Sequence, residues 1–316
     1  MKSRSRKGIG GFIVVACVLA ANYVLTFEQH PVREIGMNGT VRSADGTEIA
    51  YTTLGTGPAV IIVDGAFCYR DNGPAAQLAS ILAEHFTVFT YDRRGRGESS
   101  DSAHYATARE VDDLRSLVQK AHGSAFAVGI SSGGALALQA AEAGVHLHGL
   151  ALYEPPFIAD NGRPRSYLSH KQHLNQLVSQ GDRAGAVRFF MTNIYGAPAA
   201  FVTVMPIVMR KSWTKNKSVA HTLEYDLALL EDWSVLQKPG VEMVVPTLVM
   251  GGAKSPATLR EAVAMVAGKL PNARQVYLEG QDHNLSAPAV APVIVDFFGS
   301  IAGGPTARGI RRRGDK

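Results

Sequence analysis

One serine in this chain stands in a setting suited to nucleophilic attack. Gly129-Ile-Ser131-Ser-Gly133, followed by Gly134, has glycines two residues before and two after Ser131. The apolar run Ala125 to Gly129 precedes it, and a helix-forming stretch, Ser132 to Ala143, follows. A sharp strand-to-helix turn of this kind lifts a single side chain out of the backbone, and flanking glycines remove Cβ atoms that would collide in it. The serine then lies at a helix N-terminus, where unsatisfied N–H groups favour developing negative charge. On that geometry the backbone N–H of Ser132 is a candidate oxyanion donor. A helix N-cap is the other role open to Ser131. Ser132 is its rival as nucleophile, but only Ser131 has glycines at both offsets.

A serine nucleophile needs a base within hydrogen-bond reach, and the base needs an orienting acid. Of the ten histidines, His283 follows the last expected strand in Glu279-Gly-Gln-Asp-His283-Asn, a loop on the same sheet edge as Ser131. The loop after the seventh strand, Val249-Met-Gly-Gly-Ala-Lys-Ser255, holds no carboxylate. The reading therefore falls on Glu154, immediately after the sixth strand in Leu150-Ala-Leu-Tyr-Glu154-Pro-Pro, which gives the chain order Ser, acid, His. The plainer alternative has Glu154 only tying down the chain ahead of two prolines. Asp282 adjoins His283, and a side chain so close in sequence seldom points back at that ring's Nδ1. A second oxyanion donor is expected from Val63-Asp-Gly-Ala-Phe67, where Gly65 lets the backbone turn. The N–H of Ala66 is the candidate there, with Phe67 one residue further on.

The scaffold for these residues reads as alternating strands and helices from Gly39 onward, an α/β pattern with a mostly parallel sheet. Thr40 to Ala44 and Glu48 to Leu54 flank an Asp45-Gly46 turn and form an antiparallel hairpin. Ala59 to Val63, Phe86 to Tyr91 and Ala125 to Gly129 are short apolar runs of the kind that make buried central strands. Leu147 to Tyr153, Pro246 to Gly251 and Arg274 to Leu278 bring the expected total to eight strands. Helices are expected at Ala75 to Ala83, Arg109 to Ala121, Ser132 to Ala143 and Val290 to Ile301. The strand pattern stops after Glu154. Four amphipathic stretches follow, near Ser166 to Gln180, Arg183 to Tyr195, Ala199 to Lys211 and Ser218 to Leu230. They read as a helical lid over 155–240, inserted into a core formed by 37–154 and 241–302, with a separate helical domain as the alternative.

Beside the serine motif stands Tyr91-Asp-Arg-Arg-Gly-Arg-Gly-Glu-Ser99 after the fourth strand. From Thr40 to Ile301 the chain resembles the α/β-hydrolase superfamily, specifically its small bacterial esterase-like members with a helical lid. The resemblance implies that the Asp92 and Arg94 turn is structural and not catalytic. The chain departs from that family at two places. Asp64-Gly65 stands where many relatives carry His-Gly, which leaves Asp64 a possible pocket residue, and the usual acid position after the seventh strand is empty.

The overall charge is misleading. A formal +5 and a sequence pI near 9.2 suggest an anionic partner. Yet Lys2, Arg4, Arg6 and Lys7 carry four positives, and the tail from Arg308 to Lys316 carries a net four more. Removing both leaves −3 for the body, which offers no electrostatic footprint for nucleic acid. Cys17 and Cys68 form no C-x-x-C pair, and no His/Cys cluster has ligand spacing, so no zinc site is expected, and acyl transfer through a serine needs no metal or organic cofactor. Residues 9–27 run without a charge behind the basic start. That is long enough to span a bilayer at about 1.5 Å per residue across about 30 Å, with the remainder of the chain outside. A cleaved export signal, or a cytoplasmic enzyme starting at Met37, fits the same letters. Residues 303–316 form a basic tail expected to lack order.

The leading expectation is transfer of an acyl group from an ester, thioester or lactone to water, through Ser131, His283 and Glu154 with Ala66 and Ser132 at the oxyanion. Apolar residues of the lid (Phe189, Phe190, Met191, Phe201, Met205, Met209 and Trp213) suggest a moderately hydrophobic small-molecule substrate. A cofactor-free peroxidase-like or C–C bond hydrolase reaction uses the same residues. A non-catalytic ligand-binding protein of this fold is the alternative from outside enzymology.

Overall fold

The computed structural model describes residues 36–237 and 244–303. The uncharged segment 9–27 and the tail beyond Gly303 lie outside the described residues. Among those described, no helix is long and apolar enough to cross a membrane.

Eight strands form one sheet: β1 (Met37–Arg42), β2 (Glu48–Leu54), β3 (Ala59–Val63), β4 (Thr87–Tyr91), β5 (Ala125–Ile130), β6 (Leu147–Tyr153), β9 (Thr247–Gly252) and β10 (Ala273–Leu278). Their spatial order is β1-β2-β4-β3-β5-β6-β9-β10. Only the pairs β1–β2 and β2–β4 are antiparallel; every other pair is parallel. β4, β5, β9 and β10 differ from the sequence expectation by one residue at one end or both, and β1 differs by more. β1 begins at Met37 and ends at Arg42, because Ser43 N–H already closes the turn onto Thr47 O.

Period-two alternation explains the two-sided core. Val60 and Ile62 of β3 face one layer, containing α1 (Ala75–Leu82) and the last helix, α11 (Ala287–Ala302). Ile61 and Val63 face the other, with α2 (Thr107–Lys120), α3 (Ser132–Glu142) and α10 (Ala257–Lys269). Burial on both faces is why β3 and β5 carry almost no polar side chain.

Parallel register decides where chemistry can occur. Val63 pairs with Gly129, Ile130 with Tyr153 and Tyr153 with Met250. The residues leaving β3, β5, β6 and β9 therefore emerge side by side at the carboxyl edge of the sheet, the usual ligand edge of open α/β sheets.

Between β6 and β9 the chain forms a two-residue-per-strand hairpin, β7 (Ala159–Asp160) and β8 (Arg163–Pro164), which the sequence reading missed. Its turn residues Asn161 and Gly162 both have positive φ. Then follow α4 (Leu168–Ser179), α5 (Arg183–Asn193), α6 (Ala199–Val208), α7 (Arg210–Ser218), α8 (Leu223–Glu231) and α9 (Ser234–Gln237). The single helix expected over Ala199 to Lys211 is two, broken at Met209, whose φ of −125° and ψ of 46° lie outside the helical range. Pro206, one turn earlier, has no N–H to offer the helix and weakens its end. The stretch expected as a helix from Ser218 starts as a 3₁₀ turn, Ala220–Thr222, and becomes α-helical only at Leu223. Leu174, Phe190, Met205 and Trp213 of these helices share one buried cluster with Ile61 and Val63 of the sheet.

Candidate active site

Ser131 sits at φ 54° and ψ −126°, a conformation that costs a non-glycine residue on the order of 1–3 kcal/mol. The neighbouring strand and its own helix hold it there: its N–H donates to Tyr153 O at 2.9 Å, and its carbonyl accepts from Gly134 N–H at 2.8 Å. The flanking glycines are required by space. A Cβ on Gly129 would lie 2.6 Å from Gly134 Cα, and one on Gly133 would fall onto the Val63 carbonyl oxygen.

Glu154 occupies the equivalent turn after β6, with φ 48° and no exposed surface. Its Oε1 accepts from Gly252 N–H at 2.7 Å and Ser255 Oγ at 2.5 Å, while its Oε2 lies 2.7 Å from His283 Nδ1. Burial pushes the Glu154 carboxyl up, but the hydrogen bond and charge of His283, then Ser255 and Gly252, hold it below the usual range. A carboxylate only accepts, so the proton between them is assigned to Nδ1 and Nε2 is left as the ring's acceptor. Asp282 is engaged elsewhere. Its Oδ1 accepts from Asn284 N–H at 2.8 Å, and its carbonyl accepts from the Tyr153 hydroxyl. Tyr195, from the inserted helices, packs edge-on against His283 at 5.6 Å between ring centres and donates to Asn284 Oδ1 at 3.2 Å.

The loop after β3 comes close to the serine. A Cβ on Gly65 would lie 3.0 Å from Ser131 Cβ and 3.6 Å from its Oγ, so glycine is what allows the approach. The Ala66 N–H has no protein acceptor among the described residues. Phe67, at φ 64°, is buried edge-to-face against Phe190 at 5.2 Å. Asp64 is buried beneath this loop, its Oδ2 3.0 Å from where a Gly73 Cβ would stand. Neither of its carboxyl oxygens makes a hydrogen bond of good geometry. Burial raises its pKa to about 7, weakly opposed by the Gly65 amide and by Arg96 and Arg93.

Asp92 and the three arginines of the turn after β4 are buried. Asp92 accepts from Arg70 N–H and Arg70 Nη2 at 2.8 and 2.9 Å and from Glu98 N–H at 2.8 Å. Arg94 pairs with Asp113 at 2.6 Å and Asp45 at 2.9 Å. Arg93 forks onto Glu110 with two 2.7 Å bonds. Arg93 and Arg96 each also bond Asp226 of α8 at 2.7 Å. Asp92 and Arg94 thus bind their own scaffold and not the serine's surroundings.

Of the apolar residues expected to face a substrate, Phe190, Met191, Met205, Met209 and Trp213 are buried, and Arg188 lies 5.5 Å over the Trp213 ring. Phe189 and Phe201 are partly buried. Ser255, the Gly252 amide, Tyr195 and Asp226 were missed by the sequence reading. Only Ser255 left a signal, being the first side-chain hydroxyl after the strand whose expected acid is absent. Among the described residues no group of His, Cys, Asp or Glu is arranged to hold a metal ion.

The fold agrees with comparison to other proteins. Residues 55–294 match the alpha/beta hydrolase family, and the chain belongs to it and is a hydrolase. A solved alpha/beta hydrolase from Sphaerobacter thermophilus is 42% identical, with a TM-score of 0.74 over 82% of this chain and 100% of that one. A bromoperoxidase from Bacillus anthracis has a TM-score of 0.65 at 20% identity, covering 83% of this chain and 99% of that one, which shows a shared fold. The uncharacterized hydrolase YraK of Bacillus subtilis (strain 168) is 33% identical over 105 residues, 32% of this chain. That match spans 38% of the relative's own length.

Proposed function

We propose that the chain is a serine hydrolase cleaving an ester, thioester or lactone of a small to medium, moderately hydrophobic substrate. The observation that carries this is the His283–Glu154 hydrogen bond, on the same sheet edge as Ser131 in its strained turn. In this reading Ser131 Oγ attacks the carbonyl carbon while His283 Nε2 takes its proton. The N–H groups of Ser132 and Ala66 receive the oxyanion. Collapse of the tetrahedral intermediate expels the alcohol or thiol, which takes the proton from Nε2. Water then attacks the acyl-enzyme with His283 again as base. Glu154 fixes the ring tautomer and stabilises the imidazolium, and no metal or organic cofactor enters the scheme.

The helices over 155–240 act as a lid in the same reading. Tyr195 rests on His283 and Phe190 on Phe67, so the insertion touches both the base and the oxyanion loop. Residues 9–27 are read as an anchor or export signal that puts the catalytic body outside the cytoplasm.

The test is hydrolysis of short and medium p-nitrophenyl esters together with labelling by a fluorophosphonate. The wild-type chain is expected to turn over and to label at Ser131. Ser131→Ala is expected to lose both, with kcat down by about 10³-fold or more. Peracid formation from acetate and hydrogen peroxide without ester cleavage would move the same residues to a peroxidase-like reaction. A folded wild-type chain that neither turns over nor labels would leave the ligand-binding reading in front.

A further inference from the structure

One carboxylate of the inserted helices reaches both walls of the site around Ser131. Asp226, on α8, is wholly buried. Its Oδ1 accepts from Ser132 Oγ and from Arg93 Nη1, each at 2.7 Å, and its Oδ2 accepts from Arg96 Nη2 at 2.7 Å. The same guanidinium groups continue to the loop after β3. Arg96 Nη1 donates to Gly65 O at 2.6 Å and to Cys68 O at 3.2 Å, and Arg93 Nη1 donates to Asp64 O at 3.3 Å.

The Gly65 carbonyl and the Ala66 N–H belong to one planar trans peptide and point in opposite directions. Fixing that carbonyl on Arg96 fixes the heading of the Ala66 N–H. The Ser132 side chain, tied to the same carboxylate, fixes the first residue of α3, which carries the other donor. Donors of this kind act on a developing oxyanion only as far as they are held in place before the charge appears.

We propose that Asp226 is a positioning residue that keeps the two oxyanion donors, Ser132 and Ala66, in register. It works through Ser132 on one side and through Arg96 and Arg93 on the other. The proposal rests on the serine-hydrolase reading of Ser131.

The experiment compares the wild-type chain, Asp226→Asn and Ser132→Ala in p-nitrophenyl butyrate hydrolysis and in inhibition by phenylboronic acid. That acid forms a tetrahedral adduct on a serine oxygen and needs the same donors as the oxyanion. Rates are taken per active site, counted by fluorophosphonate titration. Asp226→Asn is expected to lower kcat by about tenfold or more with KM within about twofold, and to weaken phenylboronate by a similar factor. A purely scaffolding role would reduce Tm and the number of labelled sites, but leave kcat per site and phenylboronate affinity at wild-type values. That result would overturn the proposal. Should Asp226→Asn fail to fold, Ser132→Ala decides, since it cuts one link and leaves both ion pairs. Loss of kcat and of phenylboronate affinity there supports the proposal, and wild-type values overturn it. A wild-type chain that neither turns over nor labels would remove the hydrolase reading itself, and this proposal with it. An active wild type with unaffected variants removes the proposal alone.

Discussion

Ser255 Oγ lies 2.5 Å from Glu154 Oε1, on the opposite side of the carboxylate from His283. The hydroxyl stands in the loop after β9, where the resemblance to the family would otherwise place an acid. That loop supplies donors in its place, the Ser255 hydroxyl and the Gly252 amide, to a carboxylate rooted one strand away. The charged form of Glu154 is favoured by three hydrogen bonds despite its burial.

Removing one of those donors should be visible in a pH profile. Ser255→Ala takes away a hydrogen bond to a charged group, worth about 1.5–3 kcal/mol. The Glu154 pKa should rise, and the acid limb of kcat/KM should move to higher pH by on the order of one pH unit. The sign follows from linkage. A carboxyl depressed in the fold contributes stability above its unfolded pKa and loses it as pH falls, so the less depressed variant should be less stable than wild type near neutral pH and close that gap in acid. An acid limb that stays in place would separate Glu154 from the rate.

Glu154→Gln keeps the shape and replaces the carboxylate with an amide, which can present a donor to Nδ1 and reverse the ring's tautomer. We expect kcat to fall by about 10³–10⁴-fold, while Asp282→Ala, whose side chain only caps Asn284, changes kcat by less than about threefold. Steady-state kinetics on one p-nitrophenyl ester compare the two directly. Equal losses would mean that the acid had been assigned wrongly.

Asp64 predicts a slope in stability. Its pKa rises from about 3.9 in the unfolded chain to about 7 in the fold, so the folded protein binds the extra proton between those values. Stability is full below about pH 4 and declines as pH rises to about 7, by up to about 4 kcal/mol. Asp64→Asn cannot titrate and should flatten that slope. Urea unfolding at pH 5 and pH 8 should therefore show the variant gaining on wild type at pH 8. An identical difference at both values would show that Asp64 does not carry the proton.

Gly133→Ala tests the turn itself. The added methyl meets the Val63 carbonyl, which is backbone held in the sheet and cannot yield as a side-chain tip would. A loss of stability above about 3 kcal/mol, or failure to fold, is expected by thermal unfolding. A variant as stable as wild type would contradict the close packing of α3 on β3.

Much of this fold could be read from letters because its elements have simple periodicities. β3 and β5 are unbroken apolar runs, and Ser131 announces itself through two glycines whose Cβ atoms have nowhere to go. The proximity of Glu154 and His283 follows from counting strands along one edge. The ion network was not legible. The resemblance implies a structural role for the Asp92 and Arg94 turn but names no partners for its arginines, and Asp226 falls among Glu224, Tyr225 and Leu227 with no period to mark it as buried. Its arginine partners are 130 or more residues away in sequence, and long-range pairing of single charges leaves no local pattern. The break at Met209 was hidden for a related reason, since Pro206 sits inside a stretch whose apolar spacing continues across it.

The bond between Arg93 and Asp226 also bears on how this protein can change over time or by design. Replacing the helices between β6 and β9 by others that cover the same surface without an acid at the place of Asp226 would leave Arg96 without its carboxylate and Arg93 with only Glu110, at positions buried in this fold. Orphaning a buried charge costs about 3–5 kcal/mol, a large part of the 5–15 kcal/mol by which a domain is usually stable. The insertion is therefore no interchangeable cassette. A replacement from another hydrolase would succeed only if it brought an acid to the place of Asp226, or if Arg93 and Arg96 were changed with it.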